Sequence, residues 1–233
     1  SEQGNLLRMK RVILVVQICS LLGFIATGNF ARAEDWHQFR GENSDGRSES
    51  LEVPSEWSGS KNLLWRAALL GPGSSSPIVS GSSVFVTCYS GYGVGAGDPG
   101  VIDELVRHVI CLERTNGKIL WDRSVPVRLP EDPYRGYITE HGYASSTPVT
   151  DGKNVFVFFG KSGVLAYDFS GKELWRADVG NESSNRRWGS AASPILQGDH
   201  VIINASDESQ SIIALNKRTG KEVWRAEAAS LEL

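Results

Sequence analysis

The chain is poor in the residues that mark several common protein classes. It has 3 cysteines, 1 methionine and 4 histidines in 233 residues, and its 24 basic side chains fall short of its 27 acidic ones. So few cysteines exclude a disulfide-stapled miniprotein. The missing basic surplus excludes nucleic-acid binding through bulk neutralisation of phosphates. No apolar run reaches the ~20 residues of a membrane-spanning helix, which excludes a polytopic membrane protein. With 40% hydrophobic and 22% charged residues the chain is not a disordered polymer either, and its length suits one or two globular domains.

The single methionine, Met9, is followed by Lys10 and Arg11, by an apolar stretch from Val12 to Ile25 broken at Gln17 and Ser20, and by Ala31-Arg32-Ala33. A basic start, a short apolar core and a small-x-small site form the layout of a secretory signal peptide. Residues 1–8 then read as upstream translation, 9–33 as the signal peptide, 34–61 as an N-terminal loop segment and 62–233 as the folded domain. Cys19 lies inside the apolar core and lacks the small-residue context of a lipoprotein box. Removing 1–33 takes away Arg8, Lys10, Arg11, Arg32 and Glu2, which moves the formal charge from -3 to -6 and leaves no membrane span. The expected location is periplasmic or secreted, where Cys88 and Cys111 could pair or remain as buried thiols. A simple hairpin register places Cys88 near His108 instead of Cys111.

What the sequence does have is repetition. SSSPIVSGSSVFV from Ser74 and VICLERTNGKILW from Val109 form a first copy; SSTPVTDGKNVFVFF from Ser145 and VLAYDFSGKELW from Val164 form a second. AASPILQGDHVII from Ala191 and IIALNKRTGKEVW from Ile212 form a third. The copies end on Trp121, Trp175 and Trp224, with Trp65 before the first, at spacings of 56, 54 and 49 residues. A period near 50 marks stacked sheets or a solenoid. Each copy reads as four antiparallel strands. Pro77, Pro148 and Pro194 open a first strand, where a missing amide donor is tolerated. The second strand, such as Val155 to Phe159, is apolar without alternation, as when both faces are covered. Gly117, Gly171 and Gly220 supply the positive φ of a tight turn, and the tryptophan of the fourth strand docks one sheet onto the next.

These motifs resemble the tryptophan-docking repeat of PQQ-type β-propellers. That family includes the quinoprotein dehydrogenases and the cofactor-free propellers typified by outer-membrane assembly lipoprotein B. The opening Trp36-His37-Gln38-Phe39-Arg40-Gly41, with Asn43, Asp45 and Gly46, is similar to the start of exported PQQ-repeat proteins of planctomycete type. The resemblance implies an all-β propeller of four-stranded blades closing a ring of eight. Three blades and one isolated strand, Asn62 to Ala67, are expected in this chain, which reads as an N-terminal fragment. An open stack exposes blade faces, to be covered by the remainder of the chain or by self-association.

The resemblance fixes the activity less firmly than the fold. A quinoprotein dehydrogenase needs calcium, a carboxylate base and, in alcohol-oxidising members, a ring of two adjacent cysteines. Cys88 and Cys111 lie 23 positions apart, and no other cofactor motif is matched. The reading is therefore a non-catalytic scaffold without cofactor that binds an envelope protein or a small polar ligand. The alternative is a PQQ- and calcium-dependent dehydrogenase. Glu140, His141 and Tyr143 before blade two, and Arg186, Arg187 and Trp188 before blade three, lie in equivalent entry loops and are the candidate ligand-binding residues. The competing view is a solvated loop with structural hydrogen bonds. Gly95-Ala-Gly97-Asp-Pro-Gly100 fits a dinucleotide pattern only formally, because it interrupts two strands and carries Pro99. Asn43-Ser44-Asp45-Gly46 reads as an Asx turn, since the closing glutamate of a calcium loop is missing. No Ser-His-Asp order and no His-Cys metal spacing points to a reaction. The sequons at Asn181 and Asn204 matter only in a glycosylating host.

Overall fold

The computed structural model describes residues 34–50, 53–95 and 97–228; the upstream and signal-peptide segments expected at 1–8 and 9–33 lie outside the described residues. The strands form three four-stranded antiparallel meanders. Blade one comprises β1 (Ile78–Ser80), β2 (Ser83–Ser90), β3 (Val106–Glu113) and β4 (Ile119–Pro126). A short helix, α1 (Ile138–His141), precedes blade two: β5 (Val149–Thr150), β6 (Asn154–Phe158), β7 (Val164–Asp168) and β8 (Glu173–Ala177). Blade three comprises β9 (Ile195–Gln197), β10 (His200–Ala205), β11 (Ser211–Asn216) and β12 (Glu222–Glu227), with α2 (Ser206–Ser209) between β10 and β11. Among the described residues no helix is long and apolar enough to cross a membrane.

The first strands are neighbours, β1 beside β5 and β5 beside β9, so the blades converge at their inner edges as in a propeller. A repeated hydroxyl stitches those edges. Each strand-opening proline is preceded by Ser or Thr, and the Ser76 amide donates to Thr147 Oγ1 at 3.0 Å while the Thr147 amide donates to Ser193 Oγ at 3.0 Å. The Ser/Thr-Pro step thus supplies an acceptor to the preceding blade where proline removes a donor from its own.

The middle strands of blade two are apolar over most of their length because each face meets another blade. From β6 and the residue after it, Val155, Val157 and Phe159 pack with Phe85, Val109 and Cys111 of blade one. Phe156 and Phe158 pack with Val201, Ile203, Ile213 and Leu215 of blade three. Outer strands differ: β12 is exposed at all six positions, and in β8 only Trp175 is buried.

The tryptophans close the blade junctions through one geometry. Trp121 Nε1 donates to Phe169 O at 2.9 Å and Trp175 Nε1 donates to Lys217 O at 2.9 Å, each carbonyl lying on the turn between the third and fourth strands of the next blade. The glycine of that turn lies over the indole. Gly171 has φ +81°, and a Cβ there would sit 2.7 Å from Trp121 Cδ2; Gly117 and Gly220 repeat the arrangement over Trp65 and Trp175. A register shift just before each tryptophan, between Cys111 and Leu112, Ala166 and Tyr167, and Ala214 and Leu215, aims the side chain across the junction.

Residues 62–67, expected as an isolated strand, sit in none of the three sheets. Trp65 nevertheless donates to Arg114 O at 2.8 Å and covers Val84, Cys88, Ile110 and Leu112 with Ala67. A strand needs a ladder partner, and this segment keeps only the docking contact. Further upstream, Trp36 exchanges two 2.8 Å backbone hydrogen bonds with Val79, and His37 O accepts the Thr150 amide at 2.9 Å. The N-terminal segment thereby lies along the inner edges of blades one and two.

Cys88 stands opposite His108, and both cysteines are free and buried. Burial pushes both thiols up. The ladder also takes in Ser90 opposite Val106, so residues 91–105 connect the two strands, and Gly100 leads into a single 3-10 turn at Ile102–Glu104 and not into a phosphate-binding helix. Asp45 Oδ1 accepts the Arg47 amide at 3.0 Å, an Asx turn.

Exposure separates the docked tryptophans from the last one: Trp121 and Trp175 are 8% and 9% exposed, Trp224 41%. Trp175→Ala is expected to destabilise the full-length protein by about 3–5 kcal/mol. Urea unfolding with Trp121→Ala beside it checks this, the two costs being expected to agree within about 1 kcal/mol because the junctions are equivalent.

Candidate functional site

An antiparallel meander alternates ends, so the second-to-third-strand connections and the blade-to-blade connections share one face. Docking turns occupy the opposite face. The two faces differ in chemistry. Val94, Val101, Leu129, Tyr137 and Trp188 are exposed large side chains on the loop face, whereas the described turns on the other face expose none.

The candidate residues of the two entry loops fall into three groups. His141, Arg186 and Trp188 come together. The Trp188 carbonyl accepts from His141 Nε2 at 2.7 Å, while His141 Nδ1 and Ser145 Oγ share a 2.7 Å hydrogen bond. The Arg186 guanidinium stacks 4.8 Å from the Trp188 ring centre, and Tyr137 meets the same ring edge-on at 4.9 Å. Tyr137 and Trp188 are 60% and 44% exposed, so an aromatic pair faces solvent on a pinned loop. Glu140 and Arg187 are exposed at the rim, Arg187 with φ 51° and its amide donating to Ser184 O. Tyr143 is buried instead: its hydroxyl donates to Asp132 O at 2.8 Å, its carbonyl accepts from Arg107 Nε at 3.0 Å, and its ring meets Tyr89 edge-on. Burial raises its phenol above the ordinary range.

Beneath the aromatic pair lies a charged cluster that sequence reasoning did not find. Arg107 Nη2 meets Glu131 Oε2 at 2.6 Å, and Lys161 Nζ meets Asp132 Oδ2 at 2.9 Å, with all four side chains less than a tenth exposed. Ser183 Oγ accepts from Lys161 at 2.7 Å and donates to Asp132 at 2.9 Å, and Arg107 Nη1 donates to Ser162 Oγ at 3.2 Å. The members come from β3, the loop after β4, the turn after β6 and the loop after β8. Arg107 thus pairs with Glu131 of the loop that leaves its own blade, while Lys161 of blade two pairs with Asp132 of that same loop. Removing one partner of such a pair costs about 3–5 kcal/mol, because the other stays buried and uncompensated. Asp207 and Glu208, on α2, border the cluster, and burial raises both carboxyls. Glu208 is 1% exposed, accepts from Ser190 through Oε1 and leaves Oε2 without a partner. Its backbone carbonyl accepts the Glu182 amide at 3.0 Å, so it anchors the Trp188 loop at two points.

A second polar row lies on blade one. His108 Nε2 bonds Ser90 Oγ at 2.8 Å, and Nδ1 lies 3.2 Å from both Asp122 carboxylate oxygens. Strand register alone brings the three together. The ring is 5% exposed, and the row satisfies both nitrogens of a buried imidazole.

Among the described residues no three His, Cys, Asp or Glu side chains converge for a metal. The cleft on the loop face, between Arg107, Glu131, Tyr143, Ser146 and Ser190, has free space for a single water-sized guest.

Glu208 gives the site a pH signature. Burial lifts its carboxyl from 4.5 to about 7, helped by Asp207 and Glu131 and opposed by Ser190. Between those values the folded protein holds a proton that the unfolded chain has released, so stability falls as pH rises and the full cost is present above about pH 7. Glu208→Gln removes a penalty on the order of 3 kcal/mol. Urea unfolding at several pH values is expected to show the variant gaining on the parent above neutrality and not at pH 4.

A family model described as outer membrane protein assembly factor BamB matches residues 106–232. No curated protein matches the chain by sequence. Among solved structures, BamB from Moraxella catarrhalis is similar at 16% identity and a TM-score of 0.43, over 72% of this chain and 56% of that one. The quinohemoprotein alcohol dehydrogenase ADHIIG from Pseudomonas putida HK5 is similar at 19% identity and a TM-score of 0.44, over 71% of this chain and 22% of that one. A europium-containing methanol dehydrogenase is similar at 20% identity and a TM-score of 0.41, over 65% of this chain and 24% of that one. The chain thus spans about half the length of the BamB structure and less than a quarter of either dehydrogenase. With more than half of its residues matched by the family model, the chain belongs to the PQQ-repeat family described as outer membrane protein assembly factor BamB.

Proposed function

We propose that this chain is the docking part of an exported, non-catalytic propeller scaffold of the cell envelope, and that its loop face receives a partner protein. The observation that carries this reading is the exposed Tyr137–Trp188 pair, backed by the Arg186 guanidinium and held by His141. Large aromatic rings with an adjacent arginine are the side chains that supply most of the energy at protein interfaces. Here they need little ordering on binding, because the loop beneath them is anchored by Glu208 and by the buried ion pairs. The family match, whose description names outer-membrane assembly, supports an envelope partner, and the basic, apolar and small-residue N-terminus supports export.

Photo-crosslinking in cells producing the full-length protein tests this reading. A photoreactive residue at Trp188 is expected to yield discrete adducts in the envelope fraction, and one at Lys153, exposed on the docking-turn face, is not. Adducts from Lys153 alone, or from neither position, contradict the proposal. Calcium-dependent binding of PQQ in titration calorimetry would replace it with the dehydrogenase reading.

A further inference from the structure

The contacts of His141 fix how many protons its ring must carry. Ser145 Oγ lies 2.9 Å from the His141 carbonyl, which can only accept, so the single hydroxyl proton is used there. The Trp188 carbonyl, 2.7 Å from His141 Nε2, is likewise an acceptor and needs a proton on that nitrogen. Nδ1 stands 2.7 Å from Ser145 Oγ, and with the hydroxyl proton committed it must donate as well. Both ring nitrogens therefore donate, and only the imidazolium carries both protons.

A neutral ring leaves one contact unmade. Its Nδ1–H tautomer sets lone pair against lone pair at the Trp188 carbonyl. Its Nε2–H tautomer keeps Trp188 and forfeits one of the two hydrogen bonds at Ser145. The half-buried ring lies close under the loop, since a Cβ on Gly189 would stand 3.4 Å from its Cε1, and that loop carries the Tyr137–Trp188 pair. The surrounding elements bring Glu140 on α1, Arg135 and Tyr137 in the loop before it, Tyr143 after it, Arg186 and Arg187 on the Trp188 loop, and Glu208, which holds that loop through Ser190. Attraction to Glu140 and repulsion from the three arginines act in opposite senses on a charged ring. The hydrogen bonds are what tie its charge to the position of the loop.

We propose that His141 is a pH-operated latch on the Trp188 loop. The charged ring, present on the acid side of its titration, makes every contact and fixes the loop. The neutral ring, on the alkaline side, gives one up and lets the loop loosen. Histidine is the side chain whose charge ordinarily changes between about pH 5 and 8. Loosening would weaken presentation of the aromatic pair, a consequence that rests on the docking role proposed above; the latch itself does not.

Fluorine NMR of the full-length protein labelled with fluorotryptophan tests the latch with no partner present, so its outcome is independent of crosslinking at Trp188. A Glu208→Gln background removes the carboxyl that titrates at about 7 and also bears on this loop. The Trp188 signal, assigned with Trp188→Phe, is expected to shift with the same midpoint as the His141 ring nitrogens followed by nitrogen NMR. Ser145→Ala separates the latch from a merely local titration. Without the hydroxyl, the neutral Nε2–H ring satisfies the one contact that remains, so the Trp188 shift is expected to vanish although His141 still titrates. A Trp188 signal that ignores the His141 titration would overturn the proposal, and so would an unchanged shift in the alanine variant. If that variant does not fold, the two midpoints in the Glu208→Gln protein decide, agreement supporting the latch and disagreement overturning it.

Discussion

Everything in this fold depends on an indole resting on the glycine turn of the next sheet. A four-stranded meander that is apolar on both faces cannot stand alone in water, because each face must be covered. The tryptophan on the outer strand supplies a large apolar area, and its N–H finds a carbonyl that the turn would otherwise leave to solvent. Glycine is required at that turn twice over, for its positive φ and because any side chain would enter the ring. At the inner edge the Ser/Thr-Pro step performs the matching task, handing a hydroxyl to the preceding blade. The blades are thus held at both rims by contacts that use one short motif each.

That arrangement divides the labour between the two faces. The docking-turn face is taken up by turns whose geometry is fixed by the tryptophans. The loop face carries connections of unequal length, and there the chain builds its buried ion pairs, its cleft and its exposed aromatic pair. Loops on a rigid scaffold are free to vary because the junctions do not depend on them. Burying Arg107, Glu131, Asp132 and Lys161 nonetheless gives the loop face its own contribution to assembly, since the Lys161–Asp132 pair ties blade two to the loop that leaves blade one.

The repeats made the fold legible because each is local. Pro148, Gly171 and Trp175 fall within one copy, and their spacing announces strand, turn and dock. Segment 62–67 misled because a tryptophan motif signals docking, whereas a strand also needs a ladder partner that the sequence around it does not contain. The loop face was less legible. His141, Arg186 and Trp188 could be named because they occupy equivalent loops, but nothing local separates them from Tyr143, which turns inward. Lys161 sits in a Gly-Lys-Ser-Gly turn that reads as exposed, and only the arrival of Asp132 and Ser183 from other loops buries it. The Ser90, His108 and Asp122 row depends on register over two hairpins, which composition and spacing do not reveal.

The central claim is that the indole and the glycine turn act as one unit across each junction. A double-mutant cycle on Trp121→Ala and Gly171→Ala in the full-length protein, read by urea unfolding, tests it most directly. If the two form one contact, the second substitution costs far less once the first is made, with a coupling of about 0.5–3 kcal/mol. Costs that add within about 0.3–0.5 kcal/mol would contradict the account, showing that Trp121 stabilises the blade it belongs to and not the junction.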